Sequence, residues 1–501
     1  MTRWTRVAAG LFLLVAAAPA SSADRPQWGQ AGSRNMVSEE TGLPDSFDPQ
    51  TGSNLLWRAP LGTDSYATPV VARGRVLIGT NNGQPRDPRH TGDRGVLLCL
   101  DEKSGALLWQ LVVPKLTNSM YWDWPRTGLC SPPTVEGDRV YGVSNRGEVY
   151  CLDLLGQANG NDGPYRDEAR HAAPTNAAPV EVGPTDADIL WLYDLPKELH
   201  VRQHDSAHGS ILLRGGLLYV NTSNGVDDTH KGIASPDAPS LVVLDKTAGR
   251  LVACDGERIG PKIFHSTWSS PSCGEARGRP LVFFGGGDGV LYAFEAVADA
   301  AAAAGGPAVL KKAWSFDCDP AAPKTDWHSY LGNRHESPSN IKGMPVFFEN
   351  RVYVTAGGDL WWGKNEAWLK CVDAGGTGDV TRTAAVWSYP LAKHSLCTPA
   401  IRDGLVYATD CGGTVHCIDA ATGRACWTHE VKGDIWASPL VADGKVYVGT
   451  RRGEFLVFAA GREKRLLSDI ELGAAISGTP VAANGVLYVA TAKTLYAAKA
   501  R

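Results

Sequence analysis

The chain has 501 residues, of which 43% are apolar, and its 49 basic and 53 acidic residues give a formal net charge of −4. This balance, with no block of like charge, argues against a nucleic-acid-binding surface or a surface for anionic membranes. The 56 glycines and 31 prolines interrupt the sequence too often for long helices. We therefore expect short strands joined by many turns, and no nucleic-acid partner.

The N-terminus has the features of a secretory signal peptide. Two arginines precede the apolar run Val7–Ala18, and small residues follow, with cleavage expected after Ala20 or Ala23. The run is short for a bilayer span, and no later segment approaches about 20 consecutive apolar residues. No cysteine follows the run where a lipid anchor would need one. We expect a signal peptide over residues 1–23 and a single domain over residues 24–501, periplasmic or secreted and without a transmembrane segment.

A fifteen-residue pattern occurs twice in full and organises the rest of the chain. Gly95–Trp109 and Gly413–Trp427 share glycine, cysteine, aspartate, a Ser/Thr-Gly pair and tryptophan in the same register. A second pattern, small-x-Pro-apolar followed by a glycine-centred turn and an alternating run, precedes each copy. With the partial copies there are eight units, each predicting four strands joined by hairpins. Four-stranded units that repeat every 40–50 residues or so are typical of β-propeller blades.

The two ends of the chain are predicted to complete one blade together. The last unit, Ile476–Ala500, ends after its third strand, whereas Asn54–Ala59 stands alone before the first unit and has the pattern of a fourth strand. Pairing of these segments would close the ring and remove its open edges. The predicted fold class is thus all-β: an eight-bladed β-propeller of four-stranded antiparallel blades, closed by the N- and C-terminal strands.

The segments Leu100–Trp109 and Ile418–Trp427 resemble the tryptophan-docking motif of the PQQ-like eight-bladed propellers, the superfamily of the quinoprotein dehydrogenases. The resemblance covers nearly everything after the signal peptide and is closest to the secreted bacterial PQQ-repeat type. It implies that the aspartate and glycine shape a turn and that the tryptophan packs against the next blade. Two units depart from the motif: Ala253 replaces the tryptophan of the third, and the seventh lacks both aspartate and tryptophan.

The resemblance implies two functions. Quinoprotein alcohol or sugar dehydrogenases bind PQQ with calcium, beside a disulfide of adjacent cysteines, yet none of the 11 cysteines here has a cysteine neighbour. Their Glu, Asn and Asp set for the ion has no matched motif in this chain. The lipoprotein scaffold of outer-membrane assembly is the other relative. We favour a monomeric binding or protein-interaction scaffold at the cell envelope, whose partner is an envelope protein or a small molecule, with a PQQ-dependent dehydrogenase as the alternative.

Two pairs of cysteines are candidates for disulfides in an exported chain. Cys417 and Cys426 flank a turn symmetrically, which predicts that they lie opposite each other on adjacent strands. Cys397 and Cys411 bracket a second turn to within one residue. No C-x-x-C pair is present, so neither a zinc ribbon nor a thioredoxin-like site is indicated.

Histidines recur where the chain leads into the innermost strands of the predicted blades. These lead-in segments should meet at one rim of the central channel, so side chains from separate blades converge there. His204, His265 and His394 have such positions, and we predict that they ligate a transition metal or bind a polar or anionic ligand. The predicted ligand-binding set at the same rim adds His208, His335, Trp268 and Trp436. The alternative is that these loops are simply polar and that the two tryptophans serve packing.

Overall fold

A computed structural model describes residues 23–298 and 307–500, which form eight antiparallel sheets. The sheets are the blades of an all-β propeller, as predicted, and we number them 1 to 8 in chain order. From the innermost to the outermost strand, blades 1 to 4 contain Val70–Ala72, Arg75–Asn81, Arg94–Asp101 and Leu107–Pro114; Thr134–Glu136, Arg139–Val143, Glu148–Asp153 and Ile189–Asp194; Leu212–Arg214, Leu217–Asn221, Leu241–Asp245 and Leu251–Cys254; and Ser272–Ala276, Arg279–Gly285, Val290–Glu295 and Lys312–Asp317.

Blades 5 to 8 have the same order of strands. They contain Val346–Phe348, Arg351–Gly357, Ala367–Asp373 and Ala385–Leu391; Ala400–Arg402, Leu405–Thr409, Thr414–Asp419 and Ala425–Glu430; Leu440–Ala442, Lys445–Gly449, Glu454–Ala459 and Leu466–Glu471; and Val481–Ala483, Val486–Ala490, Thr494–Ala498 and Leu55–Pro60.

Blades 3 and 4 differ from the prediction because each carries a fifth, two-residue strand. Ala308–Val309 and Gly378–Asp379 pair in parallel with the outermost strands of these blades. Among the described residues, the α-helices are Glu168–His171 and Leu195–Leu199, and the 3₁₀-helices are Gly156–Asn159, Gly260–Lys262 and Trp327–Tyr330. Within the described part of the chain no helix has the length and apolarity to cross a membrane. The predicted signal peptide lies, apart from Ala23, outside the described residues and stays a prediction.

The ring is closed by the predicted pairing of its two ends. Leu55–Pro60 pairs antiparallel with Thr494–Ala498 and supplies the fourth strand of blade 8. Trp57 on this strand donates its indole N–H to the carbonyl of Glu102 in blade 1, at 2.9 Å. The indole lies against Gly105, which has φ +71° and where a Cβ would stand 2.6 Å from the ring. The motif glycine is therefore required both by the turn and by the neighbouring blade's tryptophan.

The tryptophans of the repeat connect successive blades in the same way. Trp109 of blade 1 is buried and donates to the carbonyl of Leu154 in blade 2, at 2.9 Å. Trp427 of blade 6 donates to the carbonyl of Gly461 in blade 7, at 2.9 Å. Each indole thus buries a large apolar area between two sheets while its one polar atom stays paired.

Residues 25–38, which we call the N-terminal plug, cross the channel and contact all eight blades. Hydrogen bonds join the plug to the innermost strands of every blade except the third, through Arg25 and Val71, Pro26 and Val135, Gly32 and Cys273, Ser33 and Phe347, Asn35 and Ile401, Met36 and Val441, and Ser38 and Ala482. Blade 3 is reached by Arg34, whose guanidinium donates to the carbonyl of Ser210 at 3.1 Å. The plug therefore closes the channel at this level.

Neither candidate disulfide is present, which corrects that expectation. All eleven cysteines are free thiols in the structure. A β-bulge between Cys417 and Ile418 shifts the register, so that Cys417 pairs with Trp427, and the thiols of Cys417 and Cys426 contact each other without being bonded. The sequence symmetry about the turn did not reveal this extra residue.

Candidate functional site

An open cavity of about 440 Å³ lies at the mouth of the central channel. The lead-in segments of all eight blades contribute to its wall, through Tyr66 and Thr68, Thr127, Cys130 and Pro132, Asp205 and His208, His265 and Trp268, Lys342, Leu396, Trp436, and Ser477. Longer loops add Tyr121, Trp124, His230, Trp361 and Trp362, and Trp28 of the plug belongs to the same wall. The topology thus brings side chains that are hundreds of residues apart to one cavity.

Three buried histidines stand together at this cavity. The nitrogen atoms that His204, His230 and His265 offer lie within 4.8 Å of one another. The Nδ1 atom of His204 is 3.0 Å from the carbonyl oxygen of Val226, and that of His265 is 3.1 Å from Oδ2 of Asp359. Each Nδ1–H therefore has an acceptor, which leaves the lone pair on Nε2. In the described structure the Nε2 atoms of His204 and His265 are buried without a hydrogen-bond partner.

A carboxylate lies next to the two free Nε2 atoms. Asp205 places Oδ1 3.7 Å from Nε2 of His204 and Oδ2 3.9 Å from Nε2 of His265. Its backbone has φ +63°, a left-handed conformation that a non-glycine residue adopts at some cost. The side chain is 21% exposed, so it connects the buried imidazoles to the open cavity.

Burial favours the neutral form of two of the three imidazoles, those of His204 and His230. Burial, with further contributions from His265 and His230, lowers the pKa of His204 to about 2. Burial also lowers the pKa of His230. The pKa of Asp359 is well below its usual range, because His265 and Lys342 outweigh the burial of its carboxyl. Neutral imidazoles beside a carboxylate that orients one of them form the usual environment of a metal-binding histidine.

The structure brings together part of the predicted site. His204 and His265 belong to the three-histidine cluster, and His208, Trp268 and Trp436 line the cavity. The predicted metal binding itself stays a prediction.

Two predicted positions need correction. His394 is buried but lies outside the cluster, where His230 takes its place. His335 is exposed and is not part of the cavity wall. Its neighbour Arg334 donates to the carbonyls of Leu360, Trp361 and Gly363, in the loop that carries the wall residue Trp361.

The sequence analysis missed His230 because this residue is not on a lead-in segment. It lies in the connection between strands Leu217–Asn221 and Leu241–Asp245 of blade 3. A connection of this length inside one blade is far longer than a hairpin turn, and long loops in compact domains are commonly functional. That unusual length was the available signal.

A second cluster of possible ligands, Asp87, His90 and Asp186, is already neutralised by a side chain. Arg89 pairs with Asp87 and lies 3.0 Å from Oδ2 of Asp186. Because a guanidinium occupies the place of a cation there, the channel mouth is the better candidate for a site.

Comparison with known proteins agrees with the fold. The model of the family described as outer membrane protein assembly factor BamB matches residues 41–296 and 365–466. Among solved structures, BamB from Moraxella catarrhalis is 12% identical with a TM-score of 0.53, over 89% of this chain and 97% of that one.

Two dehydrogenases are comparably similar. A europium-containing methanol dehydrogenase is 12% identical with a TM-score of 0.59, over 94% of this chain and 89% of that one. The quinohemoprotein alcohol dehydrogenase from Comamonas testosteroni is 14% identical with a TM-score of 0.59, over 97% and 82%. Identities this low indicate a shared fold only. Comparison with curated protein sequences gave no match.

Proposed function

The chain belongs to the family described as outer membrane protein assembly factor BamB, and from this premise and the channel-mouth cavity we propose that it is an envelope-associated binding protein with a transition-metal centre. The ligands are His204, His230 and His265. The family description supports the envelope association and the expected export. The cavity supports the binding of a metal and a small molecule.

One observation carries the proposal. Two buried Nε2 atoms, on His204 and His265, have no hydrogen-bond partner in the described structure, and both belong to the same cluster. A buried acceptor without a partner costs free energy, which a native protein normally avoids. A bound metal ion would satisfy both atoms at once. Metal–nitrogen bonds of about 2.1 Å place two ligand atoms about 3.4 Å apart in a tetrahedral site, so only a small inward movement from the observed spacing is needed.

The donor set favours a transition metal over calcium. Imidazole nitrogens suit zinc, copper, iron and nickel, whereas calcium takes oxygen ligands. The calcium ion and the adjacent-cysteine disulfide that accompany PQQ in the quinoprotein dehydrogenases therefore have no counterpart among the residues at this cavity. The residues do not fit the PQQ–calcium pair, and we do not adopt the dehydrogenase alternative.

A small molecule is also favoured over an envelope protein as the partner at this site. The three histidines are buried, and segments from eight blades surround the cavity. A flat protein surface would not reach the cluster, whereas a ligand of drug-like size fits a cavity of this volume.

Cobalt binding tests the proposal, because the visible spectrum of Co²⁺ reports its coordination. The purified, metal-free chain is titrated with Co²⁺ and then with Zn²⁺, and metal content is measured after dialysis. We expect one ion per chain, and about a 100-fold or greater loss of affinity in His230→Ala, since loss of a ligand should cost at least as much as loss of a residue that orients one.

His335→Ala is the matched control, since this exposed histidine lies away from the cavity and should leave binding unchanged. His394→Ala discriminates between the predicted and the observed cluster. Absence of stoichiometric binding, or equal losses in His230→Ala and His335→Ala, would contradict the metal centre. A loss confined to His394→Ala would contradict the assignment of His230.

A further inference from the structure

The cavity beside the histidine cluster contains one buried ammonium. Among the described residues of the cavity wall, Lys342 is the only lysine or arginine. Its Nζ donates to the hydroxyl of Ser266 at 2.7 Å and lies 3.2 Å from Oδ2 of Asp359. An ammonium has three N–H donors, and these two contacts leave one donor for a ligand. The ammonium also lies over the ring of Trp268, 4.1 Å from its centroid.

Asp359 is heavily engaged by other donors. Its carboxylate accepts from Nδ1 of His265 at 3.1 Å and from the side-chain amide of Asn340 at 3.0 Å. It also accepts from the main-chain N–H groups of Trp361 and Trp362, at 2.9 and 3.1 Å. The carboxylate of Asp359 therefore has several hydrogen-bond donors, and Lys342 is not its only partner.

A divalent ion, Lys342, Asp205 and Asp359 together leave one positive charge; Asp227, whose charge also acts on His230, is half-buried and lies outside the cavity wall. The ion and Lys342 are positive, whereas Asp205 and Asp359 are the two carboxylates in contact with the histidines. The imidazoles are neutral when they ligate a metal. A net positive charge in a mostly buried site is costly unless it is paired, so an anionic ligand is favoured there.

Much of the rest of the wall is aromatic. Its tryptophan and tyrosine rings are those of Trp28, Tyr66, Tyr121, Trp124, Trp268, Trp361, Trp362 and Trp436. Several of them contact one another: Trp361 meets Trp268 edge to face at 5.6 Å, and Tyr66 stacks on Trp436 at 6.2 Å. Such a surface suits the apolar or aromatic body of a ligand. A neutral sugar would leave the positive charge unpaired.

We propose that the cavity binds a small organic monocarboxylate with an aromatic or apolar body, the carboxylate group lying between Lys342 and the metal centre and the body against the tryptophans. The part of this inference that concerns the metal rests on the proposed function, whereas the contact with Lys342 does not. The ligand approaches from the cavity, on the side of the cluster where Asp205 is exposed.

The test compares two probes of the same shape, 1-naphthoate and the neutral 1-naphthamide. Each is titrated into the zinc-loaded chain and into the metal-free chain, and quenching of tryptophan fluorescence is followed together with calorimetry. We expect naphthoate to bind about tenfold or more tightly than naphthamide, because its carboxylate pairs a negative charge with the ammonium, whereas the amide offers the same donor only a neutral acceptor. Lys342→Met should abolish this preference, and Lys393→Met, which changes an exposed lysine, should preserve it.

The outcomes separate this inference from the metal centre. If zinc binds but naphthoate and naphthamide bind equally or not at all, the inference is wrong and the proposed function stands. If zinc does not bind but the metal-free chain still prefers naphthoate in a Lys342-dependent way, the carboxylate site stands and the metal centre fails. If Lys342→Met does not fold, the comparison of the two probes on the unmodified chain still decides between a preference and none.

Discussion

Replacement of Arg34 by methionine should destabilise the whole propeller, although this residue belongs to an irregular N-terminal segment. The side chain is 0% exposed. Its guanidinium donates to the carbonyls of Trp28, Pro271 and Ser210 at 3.0, 3.1 and 3.1 Å. Methionine keeps the apolar stem but removes every donor, so three buried carbonyl oxygens lose a partner. Each such loss costs about 1–3 kcal/mol, and removal of a buried cation offsets part of it. We therefore expect a loss of about 3 kcal/mol.

Urea unfolding followed by tryptophan fluorescence measures this loss, with limited proteolysis as a second readout of the plug. Arg58→Met is the matched control, because Arg58 lies exposed on the closing strand and should change stability by less than about 0.5 kcal/mol. Arg34→Met should lower the urea midpoint and expose the N-terminal segment to protease. If the two variants had the same midpoint and the same protease resistance, the plug would not be a structural part of the ring.

Two further substitutions test closure of the ring and a buried ion pair. Trp57→Ala should lower the free energy of unfolding in urea by about 3–5 kcal/mol, because it removes a buried indole between blades 8 and 1. Trp124→Ala is the control and should change this free energy little, since Trp124 is 40% exposed. Similar effects at both sites would contradict the role of Trp57 in ring closure. Glu148 accepts from Nε2 of His171 at 3.0 Å and from Arg146 at 2.6 Å, and these partners outweigh burial and hold the pKa of its carboxyl below the usual 4.5. Because the folded-state pKa is lowered, the stabilisation is present above pH 4.5 and is lost as the pH falls below it. Thermal melts should show a larger loss in the native chain than in Glu148→Gln, in which other carboxylates of lowered pKa such as Asp359 still titrate, and parallel pH profiles would refute the assignment.

The fold could be predicted because each blade repeats the same short sequence pattern. The pattern that ends at Trp109 specifies a turn, two strands and a contact with the next blade within fifteen residues. The two-residue strands Ala308–Val309 and Gly378–Asp379 were not predictable in the same way, since they pair in parallel with a strand distant in sequence and have no periodicity of their own. The bulge at Cys417 is equally invisible in a symmetric pattern.

The sequence predicts only the part of the candidate site that follows from the repeat topology. Equivalent lead-in segments meet at the channel mouth, which is why His204 and His265 were found together. Which ring turns toward the cluster depends on contacts that no pattern contains, such as the carbonyl of Val226 behind His204. His230 reaches the cluster through a long insertion inside one blade, and repeat position gives no information about an insertion.

The N-terminal plug gives the cavity its other boundary. Trp28 lies on the cavity wall, and its indole N–H donates to the hydroxyl of Thr479 at 3.0 Å. The residues after it bond to one innermost strand after another, so the channel is blocked beneath the site. A propeller ring alone would leave an axial passage between two mouths. With the plug beneath it, the cavity opens at the histidine-lined mouth, and displacement of the plug would change both the stability of the ring and the shape of the site.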